Sequence, residues 1–231
     1  MATPGQLVEC MAAALNVPRP TVLLYDRILA ENGLRSKGGR GRSAAKVTVE
    51  DAANLLIAIA GTPTSGIGSA AATVKQFASL KYKDSKESFD LKSISLAYGA
   101  THEQLEELNR PEFREIPGME GLRPDHSFRD GLIAFIEAVR QGKLTFKGQT
   151  IERNYASVEL VGPWIITASI GIVMQDCLPA RARYEPSVQS LKGTNWSDLE
   201  WKQSFSDRTI LAVAKLLGLE DVPTKSKNKA G

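Results

Sequence analysis

At 231 residues, with 42% hydrophobic and 24% charged residues, the chain has the composition of a globular protein and room for one large domain or two small ones. A formal charge of only +3 excludes nucleic-acid binding by a generally basic surface and requires local clustering of cations instead. Cys10 and Cys177 make neither a disulfide framework nor a metal pattern, the N-terminus lacks the basic and apolar regions of a signal peptide, and the longest apolar run, residues 164–174, is too short to span a bilayer; a cytoplasmic protein with no membrane partner is expected.

Taken in chain order, Leu7, Val8, Met11, Ala12 and Leu15 recur at helical spacing and predict an amphipathic helix over residues 5–15. Pro18 and Pro20 block its continuation, so a tight turn at residues 16–20 leads into a second helix starting at Pro20 or Thr21. That helix carries Val22, Leu23, Tyr25, Ile28 and Leu29 and ends at Gly33, a residue suited to the left-handed C′ position. Beyond it, Arg35, Lys37, Arg40, Arg42 and Lys46 are interspersed with Gly38, Gly39 and Gly41, with no acid among them. Such a segment cannot build a core but can bring backbone N–H groups and guanidinium forks to phosphate oxygens. Residues 47–49 predict a short return strand, and Thr48 with Asp51 predicts a capping-box start for a helix over residues 50–60. Helix, turn, helix, basic hairpin, strand, helix is the order of a winged helix-turn-helix.

The stretches AALNVPRPTVLLYDR and GLRSKGGRGRSAAKVTVEDAANLLIAIA resemble the DNA-binding head of the MerR-like winged helices, over the first quarter of the chain. The resemblance implies a recognition helix with Arg19, Thr21, Tyr25 and Arg27 near the DNA, and a wing presenting Arg35, Lys37, Arg40 and Arg42. The chain departs from that family in having residues ahead of the motif and no long coiled-coil helix after it, so only the wing and recognition-helix roles carry over. Helical spacing by itself favours the core for Leu24 and Tyr25 and leaves Arg19 and Arg27 as the better contacts.

Residues 61–69, GTPTSGIGS, read as a loop or hinge, and Lys75 comes too late for a Walker phosphate loop. A short helix over residues 69–80 carries Val74, Phe77 and Leu80, and the charged residues 81–88 read as an exposed linker. An alternating segment at 89–98 and a helix over 101–109, capped by Thr101 and Gln104, precede repeated breaks at Pro111, Pro117, Gly118, Gly121 and Pro124. From Ser127 to Gly142 the stripe Phe128, Leu132, Phe135, Ile136 and Val139 predicts a helix. The period then becomes two: Leu144 and Phe146, Ile151, Val158 and Leu160, then Trp164, Ile166, Ala168, Ile170 and Ile172 predict an antiparallel sheet covered by that helix, with turns at residues 147–149 and 162–163. A helix over residues 204–218 and a basic tail with Lys225, Lys227 and Lys229 end the chain.

The expected fold is α+β: a winged helix-turn-helix over residues 1–60, a hinge and linker helix over 61–88, a helix-plus-antiparallel-sheet domain for dimerisation or partner binding over 89–221, and a disordered tail over 222–231. His102 and His126 lack the spacing of a metal site and are expected at the surface or in caps. Asp125 only distantly complements Glu200 and Lys202 in the manner of a nuclease, and no serine sits in a Gly-x-Ser-x-Gly elbow, so neither an enzyme nor a cofactor is expected. The expectation is a sequence-specific protein of double-stranded DNA, a transcriptional regulator acting as a dimer or other homo-oligomer through its C-terminal domain. The alternative is an assembly or packaging protein of phages or mobile elements, whose head binds nucleic acid or another subunit.

Overall fold

A computed structural model describes residues 2–36, 46–83, 112–146, 149–150, 155–162, 166–173, 180–186 and 201–218. The helices start where the sequence supplies caps. In α1 (Pro4–Leu15), the Thr3 side chain accepts the Gln6 N–H while Gln6 accepts the Thr3 N–H at 2.8 Å, and Pro4 sits in the first turn, where no N–H is needed. Asn16 then takes a left-handed φ of 52°. In α2 (Arg19–Glu31), the end is a Schellman closure: Leu34 N–H bonds Leu29 O at 2.9 Å and Gly33 N–H bonds Ala30 O at 3.3 Å, with Gly33 at φ 70°.

The Thr48–Asp51 capping box starts α3 (Val49–Gly61). The return strand expected at residues 47–49 is therefore not formed: Val49 is already helical, and Val47 spends its N–H on Ala2 O at 3.0 Å. The expected hinge is also packed structure. A 3-10 turn (Thr64–Ser69) leads to α4 (Ala70–Ala78), and Val74, Phe77 and Leu80 are buried. Gly61 is small because α4 lies against it; a Cβ there would come within 3.1 Å of Thr73 Cγ2 and 3.2 Å of the Phe77 ring. Of the expected linker, Lys81–Lys83 is a strand, β1.

A second Ser127–Asp130 capping box opens α5 (Phe128–Arg140), and Gly142 follows it at φ 62°. Then come the small hairpin β2 (Thr145–Phe146) and β3 (Gln149–Thr150), and the strands β4 (Tyr155–Gly162), β5 (Thr167–Val173), β6 (Ala180–Glu185) and β7 (Trp201–Ser206). The last element is α6 (Asp207–Leu216), so residues 204–206 belong to a strand where a helix was expected. The main sheet is antiparallel with order β1-β6-β5-β4-β7. Its register aligns one apolar face: Val158 lies opposite Ile170 and Phe205, and Ile170 opposite Ala182. A slip by one residue would turn that face to water, and each Val, Leu or Ile in it contributes about 1.5–3 kcal/mol by burial.

The expected α+β class is what forms, with the sheet's apolar face covered by α3, α5 and α6. One hydrophobic cluster runs from Leu7 to Ala214, so the core has no break at the boundary expected near residue 60. The apolar faces of the sheet and of α6, expected to serve self-association, are spent on this core; Ile210, Val213 and Ala214 are fully buried. No helix among the described residues is long and apolar enough to cross a membrane. The elements expected at 89–98 and 101–109, Trp164, the turn at Pro163 and the basic tail lie outside the described residues.

Candidate nucleic-acid interface

The α1–α2 turn is short because Asn16 reverses the chain in the left-handed region and Val17 N–H returns to Ala12 O at 3.1 Å. In α2, Val22, Tyr25, Asp26 and Leu29 face inward, while Pro20, Leu23, Leu24, Arg27 and Glu31 are exposed. Arg19, at the start of the helix, is exposed and ion-paired with Glu9 of α1. Thr21 is half-buried and lines a cleft that β7 also lines. Arg27 is exposed and has no ion-pair partner among the described residues, Glu31 included.

Two residues assigned to DNA by resemblance have other work in the fold. Tyr25 is 2% exposed, and its hydroxyl donates to Thr62 O at 2.8 Å; burial pushes the phenol's pKa up. It packs α2 onto the end of α3 and cannot reach a base from there. Arg35 is turned inward, with Nε 2.8 Å from Asp26 Oδ1, although the N–H is not aligned for a hydrogen bond. Its charge is thus matched within the fold. Burial raises the Asp26 carboxyl above its usual range; Arg35 opposes the shift and Asp51 adds to it.

What the sequence did not reveal is the anchor beside this pair. Asp51 Oδ1 accepts the Ser36 N–H at 2.7 Å, and Oδ2 accepts the Thr48 N–H at 2.9 Å. A single carboxylate thereby holds the chain on both sides of the basic run, while Asn54 Nδ2 donates to Leu34 O at 2.8 Å. Only the Thr48 half of this was visible as a capping box; the Ser36 half spans 15 residues. Lys37, Arg40 and Arg42 lie outside the described residues, and Lys46, at the far side of the run, is exposed.

A second polar surface is the outer face of the sheet. Glu159 on β4 bridges Arg181 Nη2 on β6 at 3.1 Å and Lys202 Nζ on β7 at 2.9 Å, and Arg181 also donates to Ser169 Oγ at 3.1 Å. Arg183 Nε lies 2.9 Å from Glu185 Oε1. Glu159 is thus shared by two cations across strands, and Arg183 pairs with Glu185 within β6, partly solvated pairs of the kind found on a sheet surface.

His126 is 1% exposed, a correction to the surface or cap role expected of it. Its Nδ1 lies 2.7 Å from Arg123 O, which can only accept, so Nδ1 carries the proton and Nε2 accepts the Tyr184 hydroxyl at 3.0 Å. Tyr82 stacks on the ring at a centroid distance of 4.7 Å. Burial holds the imidazole below its usual pKa. His102, Cys177 and Glu200 lie outside the described residues. Asp125 adjoins β1, whose Lys81 Nζ donates to Asp125 O at 3.3 Å, whereas Lys202 is on β7 at the opposite edge of the sheet, so these two residues do not converge. Among the described residues no group of His, Cys, Asp and Glu is placed to hold a metal ion. Cys10 is a free, half-buried thiol whose pKa burial raises. Compared with known proteins, the chain matches no family model, and no curated protein or solved structure matches it significantly.

Proposed function

We propose that the chain binds double-stranded DNA, with the outer face of α2 and the basic run between Arg35 and Lys46 as its contact surface and transcriptional regulation as its role. The observation that supports this is the Asp51 anchor. One carboxylate fixes Ser36 and Thr48, so the chain is held at the same point of α3 on either side of the sequence that carries Lys37, Arg40 and Arg42, and α3 itself packs against α2. Arg27 lies on the exposed face of α2 with no ion-pair partner among the described residues, and Arg19 at its start is released by exchanging a solvated partner, Glu9, for phosphate or a base edge. Arg35 and Tyr25 act from inside, holding the surface in place.

The test is fluorescence anisotropy with short duplexes over a range of salt concentrations. Arg40→Ala with Arg42→Ala is expected to weaken binding to all duplexes by a similar factor and to flatten the salt slope by about one unit per lost phosphate contact. Unchanged affinity and slope in the folded double variant would reject the reading.

A second reading, an assembly protein whose α2 face meets another subunit, is favoured by one observation. Leu23 and Leu24, 37% and 40% exposed, are the exposed large hydrophobics among the described residues, and both lie on this helix. Under that reading Leu24→Ser dissociates a complex between subunits and leaves the salt slope on DNA untouched.

A further inference from the structure

The α1–α2 turn, the end of α3 and β7 enclose a cleft of about 610 Å³. We propose that it is a binding site for a small, uncharged aromatic molecule carrying one hydroxyl or carbonyl group. Its volume lies within the range of small-molecule sites, roughly 300–1,000 Å³. None of the described residues that line it carries a charge, so among them a carboxylate, phosphate or ammonium would lose water with no counter-ion to replace it. Trp201 supplies aromatic surface, with the largely buried Tyr25 and Phe205 behind it, and Leu15, Val17 and Ile59 supply aliphatic walls, a combination that suits a flat ring.

The polar group of the ligand is specified by Thr62. This residue lines the cleft and is 3% exposed, and its Oγ1 has no hydrogen-bond partner, while its carbonyl already accepts the Tyr25 hydroxyl. A buried hydroxyl left in that state costs free energy that a hydrogen bond to a ligand would recover. Oγ1 is covered by its surroundings, so the hydroxyl meets a ligand only by turning about χ1 toward the cleft as the ligand enters. Thr21, Ser65, Gln203 and Ser204 add neutral polar groups around the cleft. The site stands apart from the DNA reading, since it is defined and tested on the free protein, but Thr21 and Tyr25 belong to α2, so an occupant touches that helix directly.

The experiment is an NMR titration of the full chain with 2-naphthol and, as the partner lacking a hydroxyl, naphthalene. The expected result is saturable 2-naphthol binding, with shifts concentrated at residues 60–65 and 203–205 and tighter than naphthalene by about tenfold. Thr62→Val, which keeps the shape and removes the unpaired hydroxyl, should fold at least as stably and bring 2-naphthol down to the naphthalene level. Ser65→Trp, at an exposed lining position, should block both compounds. Failure of 2-naphthol to bind the wild type, or undiminished 2-naphthol affinity in Thr62→Val, overturns the proposal.

Discussion

Tyr184 and His126 meet across 58 residues of chain, and their hydrogen bond makes the imidazole a neutral acceptor in the core. The ring lies between Tyr82, stacked at 4.7 Å, and Phe113, near-parallel at 6.4 Å, and α5 passes so close that a Cβ on Gly131 would lie 2.1 Å from the Tyr184 hydroxyl oxygen. Because burial holds the folded-state pKa of His126 below its unfolded value, the unfolded chain takes up the proton first as pH falls. Stability from this residue is thus complete above the unfolded histidine value, near 6.5, and is lost as pH falls from there toward the lower folded value. Urea unfolding at pH 7.5 and 5.5 is expected to show a weaker protein at the lower pH, with the difference reduced in His126→Gln; an equal difference in the variant would show that the histidine is not its source. Nothing near His126 in the sequence announces this burial. Its neighbours Asp125 and Pro124 mark a turn, and the rings around it come from Tyr82 on β1, Tyr184 on β6 and Phe113.

At the scale of elements, what was legible was local. Capping boxes close within one turn: Thr48 with Asp51, expected from the sequence, and Thr3 with Gln6 and Ser127 with Asp130, which follow the same spacing without having been expected, and the corresponding helices begin beside them. The buried alternations of β4 and β5 were equally plain. β1 and β7 were not, because KYK and WKQSFS have little apolar alternation of their own: only Phe205 in β7 is fully turned inward, and β1 is fixed by pairing with β6. Asp51 shows both sides of this, a cap visible at i+3 and an anchor for Ser36 that was not. Asp51→Ala removes both, and the loss of a cap together with a charged acceptor for a second N–H is expected to cost about 2–4 kcal/mol. Amide exchange gives the sharper reading, since Ser36 and Thr48 should both lose protection relative to the middle of α3. Retained protection at Ser36 would mean that the carboxylate does not anchor that side of the basic run.

For the molecule as a whole, the main departure from the sequence is that the helical first quarter shares its core with the sheet. Composition suggested a hinge after residue 60, since GTPTSGIGS is full of breakers, yet Gly61 is a close-packing position and the 3-10 turn leads directly into α4. Ten of the 13 residues of α3 are buried, and its neighbours include α5, β4 and β7 as well as α2 and α4, while α1 packs on α6 at the far end of the chain. Such long-range covering leaves no periodic signature in the sequence, because an all-round apolar helix looks the same whichever partners bury it. It does have a consequence for truncation. In a fragment of residues 1–83, α3 and α1 would lose the sheet, α5 and α6, and each large apolar residue returned to water would forfeit about 1.5–3 kcal/mol, against a typical total stability of about 5–15 kcal/mol. The fragment is therefore expected to retain helical circular dichroism but to show poor amide dispersion and no cooperative thermal transition, whereas the full chain unfolds in one step. A dispersed spectrum and a cooperative transition in the fragment would instead identify the first quarter as a domain that folds alone, and its binding to DNA could then be measured without the rest of the chain.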